Sequence, residues 1–305
     1  MASTSWDTII IGGGPAGLSA ALTLGRCRRR VLVCDAGQPR NRASAHLHAF
    51  LTRDGIAPHE FLRIGREQLA AYDTVRISRC EVVEARRRGE GFDIVLADGV
   101  REHGRTLLLA TGVVDHVPPI EGIEPLYGKS VHHCPYCDAW EWRDRPLAVY
   151  GRGDDKGAGL ALMLLQWSRD VILVTDGPAS ISPDERERLN AQGVRIREDA
   201  IARLEGRDGQ LERIVFGDGR SVERAALFFN TGQHQRSPLA EALGCEFDER
   251  GGVVAREYEV VTSVPGVYVA GDASRDVQLV VIAAAEGVKA GFAINKNLLT
   301  ADGLA

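Results

Sequence analysis

Apolar residues in this chain fall into short runs closed by glycine turns, and these runs alternate with stretches whose apolar positions recur at helical spacing. Residues 7–11 read Asp-Thr-Ile-Ile-Ile, a continuous apolar run of the kind shown by a strand buried on both faces. Glycines follow at once, then small and apolar residues at helical spacing over 18–24, then a second apolar run over 31–34 ending at Asp35. This is a complete strand–helix–strand unit. A helix is expected over 59–72, short alternating strands near 75–77, 81–85 and 92–96, and a buried strand over 107–110 that closes on Thr111-Gly112. The plan then repeats. A strand over 146–150 runs into Gly151 and Gly153, a helix follows over 157–167 and a strand over 171–175, with further strands near 194–197, 201–204 and 211–216. Another buried strand over 227–229 closes on Thr231-Gly232. A last block from about Cys245 holds a strand over 267–270, Gly271-Asp272, and a long apolar helix from Leu279 to about Leu299.

The predicted fold is α/β, with two Rossmann-like three-layer dinucleotide-binding domains, the second inserted into the first. The turn residues Val117-Pro118-Pro119 and Ser237-Pro238 mark the expected crossings. The boundaries are then 1–115 plus 246–305 for the first domain and 116–245 for the second.

Composition narrows the class. The chain has 305 residues, 44% hydrophobic and 26% charged, with a formal net charge of -5. That balance suits a globular protein and lacks the basic footprint of a nucleic-acid binder. The basic cluster Arg26, Arg28, Arg29 and Arg30 reads as the solvated end of a helix. No apolar run of about eighteen residues is present to span a membrane. A first strand at Asp7 leaves no room for a signal peptide, so a cytoplasmic location is expected. Six cysteines are too few for a disulfide-stapled secreted scaffold. Cys27, Cys34, Cys80 and Cys245 stand alone and are expected to be buried structural residues. The other two form a pair.

Gly12-Gly13-Gly14-Pro15-Ala16-Gly17 is a G-x-G-x-x-G between a strand and a helix. Gly12 permits the tight turn, Gly14 lets a pyrophosphate approach the backbone, and Gly17 lets helix and strand pack closely. Pro15 and Ala16 open the helix whose N-terminus would face the anion. Asp35, followed by Ala36, ends the second strand where a ribose hydroxyl would be held. Residues 262–272 (Thr-Ser-Val-Pro-Gly-Val-Tyr-Val-Ala-Gly-Asp) resemble the second FAD signature of flavoproteins with two dinucleotide domains. That likeness implies FAD, with Asp272 on the ribityl chain and the helix beginning near Gln278 directed at the flavin. Arg40 and Asn41 in the loop after the second strand, and the turn Thr111-Gly112, complete the expected cofactor set.

Cys134-Pro135-Tyr136-Cys137-Asp138 carries the chemistry. Two cysteines three apart can close a small reducible disulfide at a helix start, where the dipole favours the thiolate that performs exchange. A structural zinc site would need a second cysteine or histidine pair. His132 and His133 are adjacent, but there is no second Cys-x-x-Cys, and no metal is expected.

With these motifs in order, the chain resembles the low-molecular-weight thioredoxin reductases over essentially its full length. The resemblance implies an FAD-dependent thiol–disulfide oxidoreductase that works as a homodimer and whose central domain rotates. Cys137 would face the flavin, Cys134 would exchange with substrate, and Asp138 would carry the proton. The substrate would be a thioredoxin-like protein or a small disulfide or dithiol. Three segments depart from that family. Gly151-Arg152-Gly153-Asp154-Asp155-Lys156-Gly157 has lysine where a small residue is usual, and acids where a phosphate would approach. Thr175-Asp176-Gly177 replaces the basic motif for the NADPH 2′-phosphate; an aspartate there repels that phosphate and suits a free ribose hydroxyl. The flavin-side loop reads Gly37-Gln38-Pro39-Arg40-Asn41-Arg42. NADPH, NADH and other donors such as ferredoxin or a second flavin therefore stay open. With His133 before Cys134, the chain is also similar to the gliotoxin and holomycin dithiol oxidases and to reductase-like proteins lacking NADPH motifs. In the oxidases a dithiol is oxidised, oxygen is the acceptor, and His133 would be the base. A flavin redox sensor without turnover is the remaining alternative.

Overall fold

A computed structural model describes residues 5–256, 260–274 and 277–305. The chain forms two compact units: residues 1–42, 56–114 and 233–305 make unit 1, and 43–55 with 115–232 make unit 2. Residues 233–245 thus belong to unit 1, and the loop 43–55 to unit 2.

Unit 1 opens with β1 (Trp6–Ile11), α1 (Pro15–Arg26), β2 (Val31–Cys34), α2 (Pro58–Leu69) and β3 (Val75–Ser78). An antiparallel meander follows, β4 (Val82–Arg88), β5 (Gly91–Leu96) and β6 (Arg101–Leu109), then β7 (Val113–Asp115). Unit 2 holds β8 (Val131–His132), α3 (Pro135–Asp138), β9 (Leu147–Tyr150), a π-helical turn (Asp154–Gly159) running into α4 (Leu160–Leu164), β10 (Val171–Val174), α5 (Pro183–Ala191) and β11 (Arg195–Arg197). It continues with β12 (Ile201–Arg207), β13 (Gln210–Phe216), β14 (Ser221–Glu223) and β15 (Ala226–Phe229). The chain returns to unit 1 through β16 (Gln233–Gln235), α6 (Leu239–Ala242), β17 (Val267–Val269) and α7 (Val280–Ala301).

The unit 1 sheet runs β3-β2-β1-β6-β5-β4, with β17 beside the C-terminal half of β6. Strands β3, β2, β1, β6 and β17 are parallel, and β5 and β4 continue antiparallel. Neighbouring residues of one strand feed opposite faces. Ile10 packs with α1, α2 and α7, whereas Ile9 and Ile11 pack towards the meander. This is why positions 9–11 are apolar consecutively rather than at every second position. Unit 2 repeats the plan. Its parallel sheet β11-β10-β9-β15-β8 has helices on one face and the meander β12-β13-β14 on the other. Both units are therefore three-layered, as the repeat predicts.

Helices α1 and α7 pack along a seam of small residues. A Cβ on Gly287 would enter the Ala16 carbonyl oxygen, and one on Gly291 would meet Thr23 and the Ala20 carbonyl oxygen. Two of the four lone cysteines correct the expectation of burial. Cys34 and Cys245 are buried, but Cys27 is exposed just past the end of α1 and Cys80 is half-buried before β4. Cys27 lies in the polar turn that follows the last apolar position of α1, where no core remains to cover it. Among the described residues, no helix is long and apolar enough to cross a membrane.

Candidate active site

The strand register of unit 1 brings the residues expected to hold the cofactor to one edge. Ile11 stands level with both Cys34 and Leu109, and Leu109 with Val269. Gly12, Asp35, Ala110 and Ala270 therefore leave the sheet together at its C-terminal edge, where open α/β sheets bind their ligands. Gly12 turns at φ 114°, and a Cβ there would enter the Ala110 carbonyl oxygen. A Cβ on Gly17 would enter the Gly12 carbonyl oxygen. Around Gly14, by contrast, there is open space. Gly14 caps α1 without a side-chain hydrogen bond, and Pro15 holds the first helical position, so the first-turn N–H groups face that space. An open cradle at the N-terminus of a twelve-residue helix suits the pyrophosphate of FAD. Asp35 is held in place, its Oδ1 accepting the Gly37 N–H at 2.9 Å and its Oδ2 pairing with Arg66 at 3.0 Å. Ala36 is exposed beside it and Asn41 is half-buried. The turn after β6 reverses at Gly112, with φ 69° following Thr111.

A second group forms around Arg40. Its Nη1 donates to Asp272 Oδ2 and to Gln278 Oε1, each at 2.8 Å, and its Nη2 donates to Gln233 Oε1 at 3.0 Å. Glu286, buried in α7, accepts the Gly271 N–H at 2.5 Å and the Ser274 hydroxyl at 3.2 Å, pinning the turn that carries Asp272. Arg40, Asp272 and Gln278 are among the residues expected from the sequence, whereas Gln233 and Glu286 are not. Glu286 had a signal: it is an acid inside the otherwise apolar run 280–288. Gln233 had none.

In unit 2, Cys134 and Cys137 are joined as a disulfide with Cα atoms 5.3 Å apart. Cys134 is the N-cap of the single-turn helix α3, and the N–H groups of Cys137 and Asp138 both donate to its carbonyl oxygen at 3.2 Å. Pro135 at the first helical position fits this start. Both sulfur-bearing residues are half-buried, while Tyr136 and Trp140 beside them are 67% and 63% exposed. His133 Nδ1 lies 3.3 Å from the Tyr127 hydroxyl, and its Nε2 lies 3.9 Å from Asp115 Oδ2. Tyr127 in turn donates to Asp115 at 3.4 Å. The loop 43–55 reaches the segment after the pair, with His48 3.5 Å from Asp54 and 3.6 Å from Glu141.

The second glycine loop differs from the first in spacing. Gly151 and Gly157 make the close approach that Gly12 and Gly17 make in unit 1, but one more residue separates them. The extra residue is absorbed by a π turn, in which the Ala158 N–H reaches the Gly153 carbonyl oxygen at 3.2 Å. Two side chains of the loop tie it to the segment after β10. Asp154 Oδ1 accepts the Ser182 N–H at 2.7 Å, and Arg152 donates to the carbonyl oxygens of Thr175, at 2.8 Å, and Asp176. Asp176 Oδ1 accepts the Ile201 N–H at 2.7 Å and its Oδ2 lies 3.8 Å from Arg152.

Two dinucleotide-type units and a Cys-Pro-Tyr-Cys disulfide define a flavoprotein thiol–disulfide oxidoreductase. The chain belongs to the pyridine nucleotide-disulphide oxidoreductase family, whose profile matches residues 6–287. Within it the chain is thioredoxin reductase-like. It is 34% identical to the thioredoxin reductase tcpT of Claviceps purpurea, over 96% of this chain and 94% of that protein. Among solved structures, HlmI matches at 38% identity and a TM-score of 0.93, covering 98% of this chain and 94% of HlmI. A Bacillus anthracis protein described as a putative thioredoxin reductase matches at 33% identity and a TM-score of 0.93, covering 97% and 99%.

Proposed function

We propose that the Cys134–Cys137 pair passes electrons between FAD bound by unit 1 and a disulfide or dithiol substrate. Cys134 is the sulfur that exchanges with substrate, Cys137 serves the cofactor side, and Asp138 takes up and returns the proton. The observation that carries this reading is the disulfide itself, closed at the start of a helix and followed by a carboxylate. FAD, when bound, supplies the two-electron couple with which the pair equilibrates. Gly12, Gly14, Pro15, Ala16 and Gly17 would hold its pyrophosphate, Asp35 and Ala36 its ribose end, and Arg40, Asn41, Thr111, Gly112, Asp272 and Gln278 its ribityl and ring end. Tyr136 and Trp140 offer exposed aromatic faces to a thioredoxin-like protein or a small disulfide or dithiol.

The second glycine loop favours one direction of flow. Asp154 and Asp155 put acids where a phosphate would approach, Lys156 stands where a small residue is usual, and Asp176 opposes a 2′-phosphate. This supports a dithiol as the electron donor in place of NADPH or NADH. The dithiol becomes a disulfide, and oxygen takes the two electrons and two protons as hydrogen peroxide. His133, with Asp115 and Tyr127 around its ring, would be the base that deprotonates the substrate thiol. The remaining lone cysteines are thiols, which supports the cytoplasm. Val288 and Phe292, 49% and 63% exposed one turn apart on α7, support a homodimer.

The test is anaerobic bleaching of the flavin by NADPH, NADH and reduced lipoate in turn. Bleaching by lipoate alone, with recovery in air, is expected. Fast bleaching by NADPH refutes the assigned direction, and full turnover in Cys137→Ser refutes the assigned pair.

A further inference from the structure

His132 precedes the residue assigned as substrate base and has no part in the exchange described above. It is the second residue of β8, level with Phe228 of β15, and only 4% exposed. Its ring packs against Phe228 at 5.3 Å and Trp142 at 6.1 Å between centroids. Its two nitrogens face different partners. The Trp142 indole N–H donates to Nε2 at 2.9 Å, and Nδ1 lies 3.4 Å from Asp138 Oδ1.

An indole nitrogen can only donate. Nε2 must therefore present its lone pair to Trp142, which leaves the ring hydrogen on Nδ1, facing the Asp138 carboxylate. The hydrogen bond at one ring nitrogen sets the state of the other. Were the tautomer reversed, Nε2–H would meet indole N–H, and a bare Nδ1 would oppose Asp138. Burial between Phe228 and Trp142 keeps the ring from turning away.

We propose that His132 is a positioning residue: its Nδ1–H, fixed by the Trp142 indole, orients the Asp138 carboxylate for proton transfer at the Cys134–Cys137 pair. This rests on the reading of Asp138 as the acid–base group. Trp142 then acts at one remove, through the histidine. Neither residue touches the pair in this scheme, so their loss slows the step without changing how substrate is held.

The test uses the FAD-loaded full chain, labelled with ¹⁵N-histidine, and reduced lipoate as the dithiol. In the native protein the His132 resonances are expected to report Nδ1–H and a bare Nε2. In Trp142→Phe the fixed tautomer is expected to be lost. The rate of reduction of the pair is expected to fall on the order of tenfold or more in Trp142→Phe and His132→Phe, within the range of acid–base contributions. The lipoate concentration giving half-maximal rate should hold steady. His132→Asn, whose amide nitrogen stands near the Nδ1 position, should recover part of the rate. Trp142→Phe keeps the histidine and so remains informative if His132→Phe does not fold. An Nε2–H tautomer in the native protein, or native rates in Trp142→Phe, overturns the proposal. Asp138→Asn separates the two levels. A slow Asp138→Asn beside fast His132 and Trp142 variants sinks the positioning role alone. A fast Asp138→Asn sinks the acid–base reading and this proposal with it.

Discussion

Arg40 and Asp272, far apart in the sequence, meet as an ion pair of 2.8 Å at the edge of unit 1, with side chains 15% and 19% exposed. The pair joins the loop after β2 to the turn before α7. Removing Arg40 takes from the partly buried Asp272 carboxylate its guanidinium partner, and removing Asp272 takes from Arg40 its carboxylate. A hydrogen bond to a charged group contributes about 1.5–3 kcal/mol. Arg40→Ala and Asp272→Ala are each expected to purify with less FAD per chain than the native protein. The ratio of flavin absorbance to protein absorbance reads this out, and a native ratio in both variants contradicts the assigned flavin-side cluster.

Gly287→Ala is expected to destabilise the protein, against the usual trend. In an exposed helix, alanine for glycine stabilises by roughly 1 kcal/mol. Here the new methyl would enter the Ala16 carbonyl oxygen across the α1–α7 seam. Backbone cannot step aside as a side-chain tip can, and overpacking of this kind costs about 1–3 kcal/mol. Thermal melts of the two proteins side by side decide the sign.

Titration calorimetry is expected to show no saturable binding of NADPH or NADH at concentrations up to about 1 mM, the affinity corresponding to roughly 4 kcal/mol. The prediction follows from the acids Asp154, Asp155 and Asp176, which stand where the phosphates of the nucleotide would approach. Saturation at micromolar concentration would show that the loop opens for nucleotide.

Burial, with Glu102 and Cys80 adding to it, pushes the Cys34 thiol from its ordinary value of 9.0 up to about 12. The folded state then holds this proton more tightly than the unfolded chain. Its contribution to stability is whole below about pH 9 and is lost as pH rises from 9 towards 12, by up to about 1.4 kcal/mol per pH unit. Cys34→Ala should flatten that part of the stability profile measured by urea unfolding. At pH 8 a thiol reagent should label exposed Cys27 and leave Cys34 unmodified until the protein unfolds.

Local pattern and local chemistry were enough for much of this protein. Consecutive apolar positions at 9–11, 31–34 and 227–229 announce strands covered on both faces, and the glycines at or soon after their ends announce the turns. The Cys-x-x-Cys and both glycine loops are contiguous, so they stand out as candidate motifs from spacing alone. What the sequence could not show are relations between distant segments. Glu286 reaches Gly271 across a turn, Arg40 gathers Asp272, Gln278 and Gln233, and the Trp142 indole sets the tautomer of His132. Each depends on strand register and helix packing to bring together groups that have no periodic relation along the chain. The second glycine loop shows both sides of this division. Its extra residue is plain in the sequence, but the π turn that absorbs it, and the closure of Arg152 and Asp154 onto the loop after β10, exist only once the parallel sheet has set Gly151 beside Thr175.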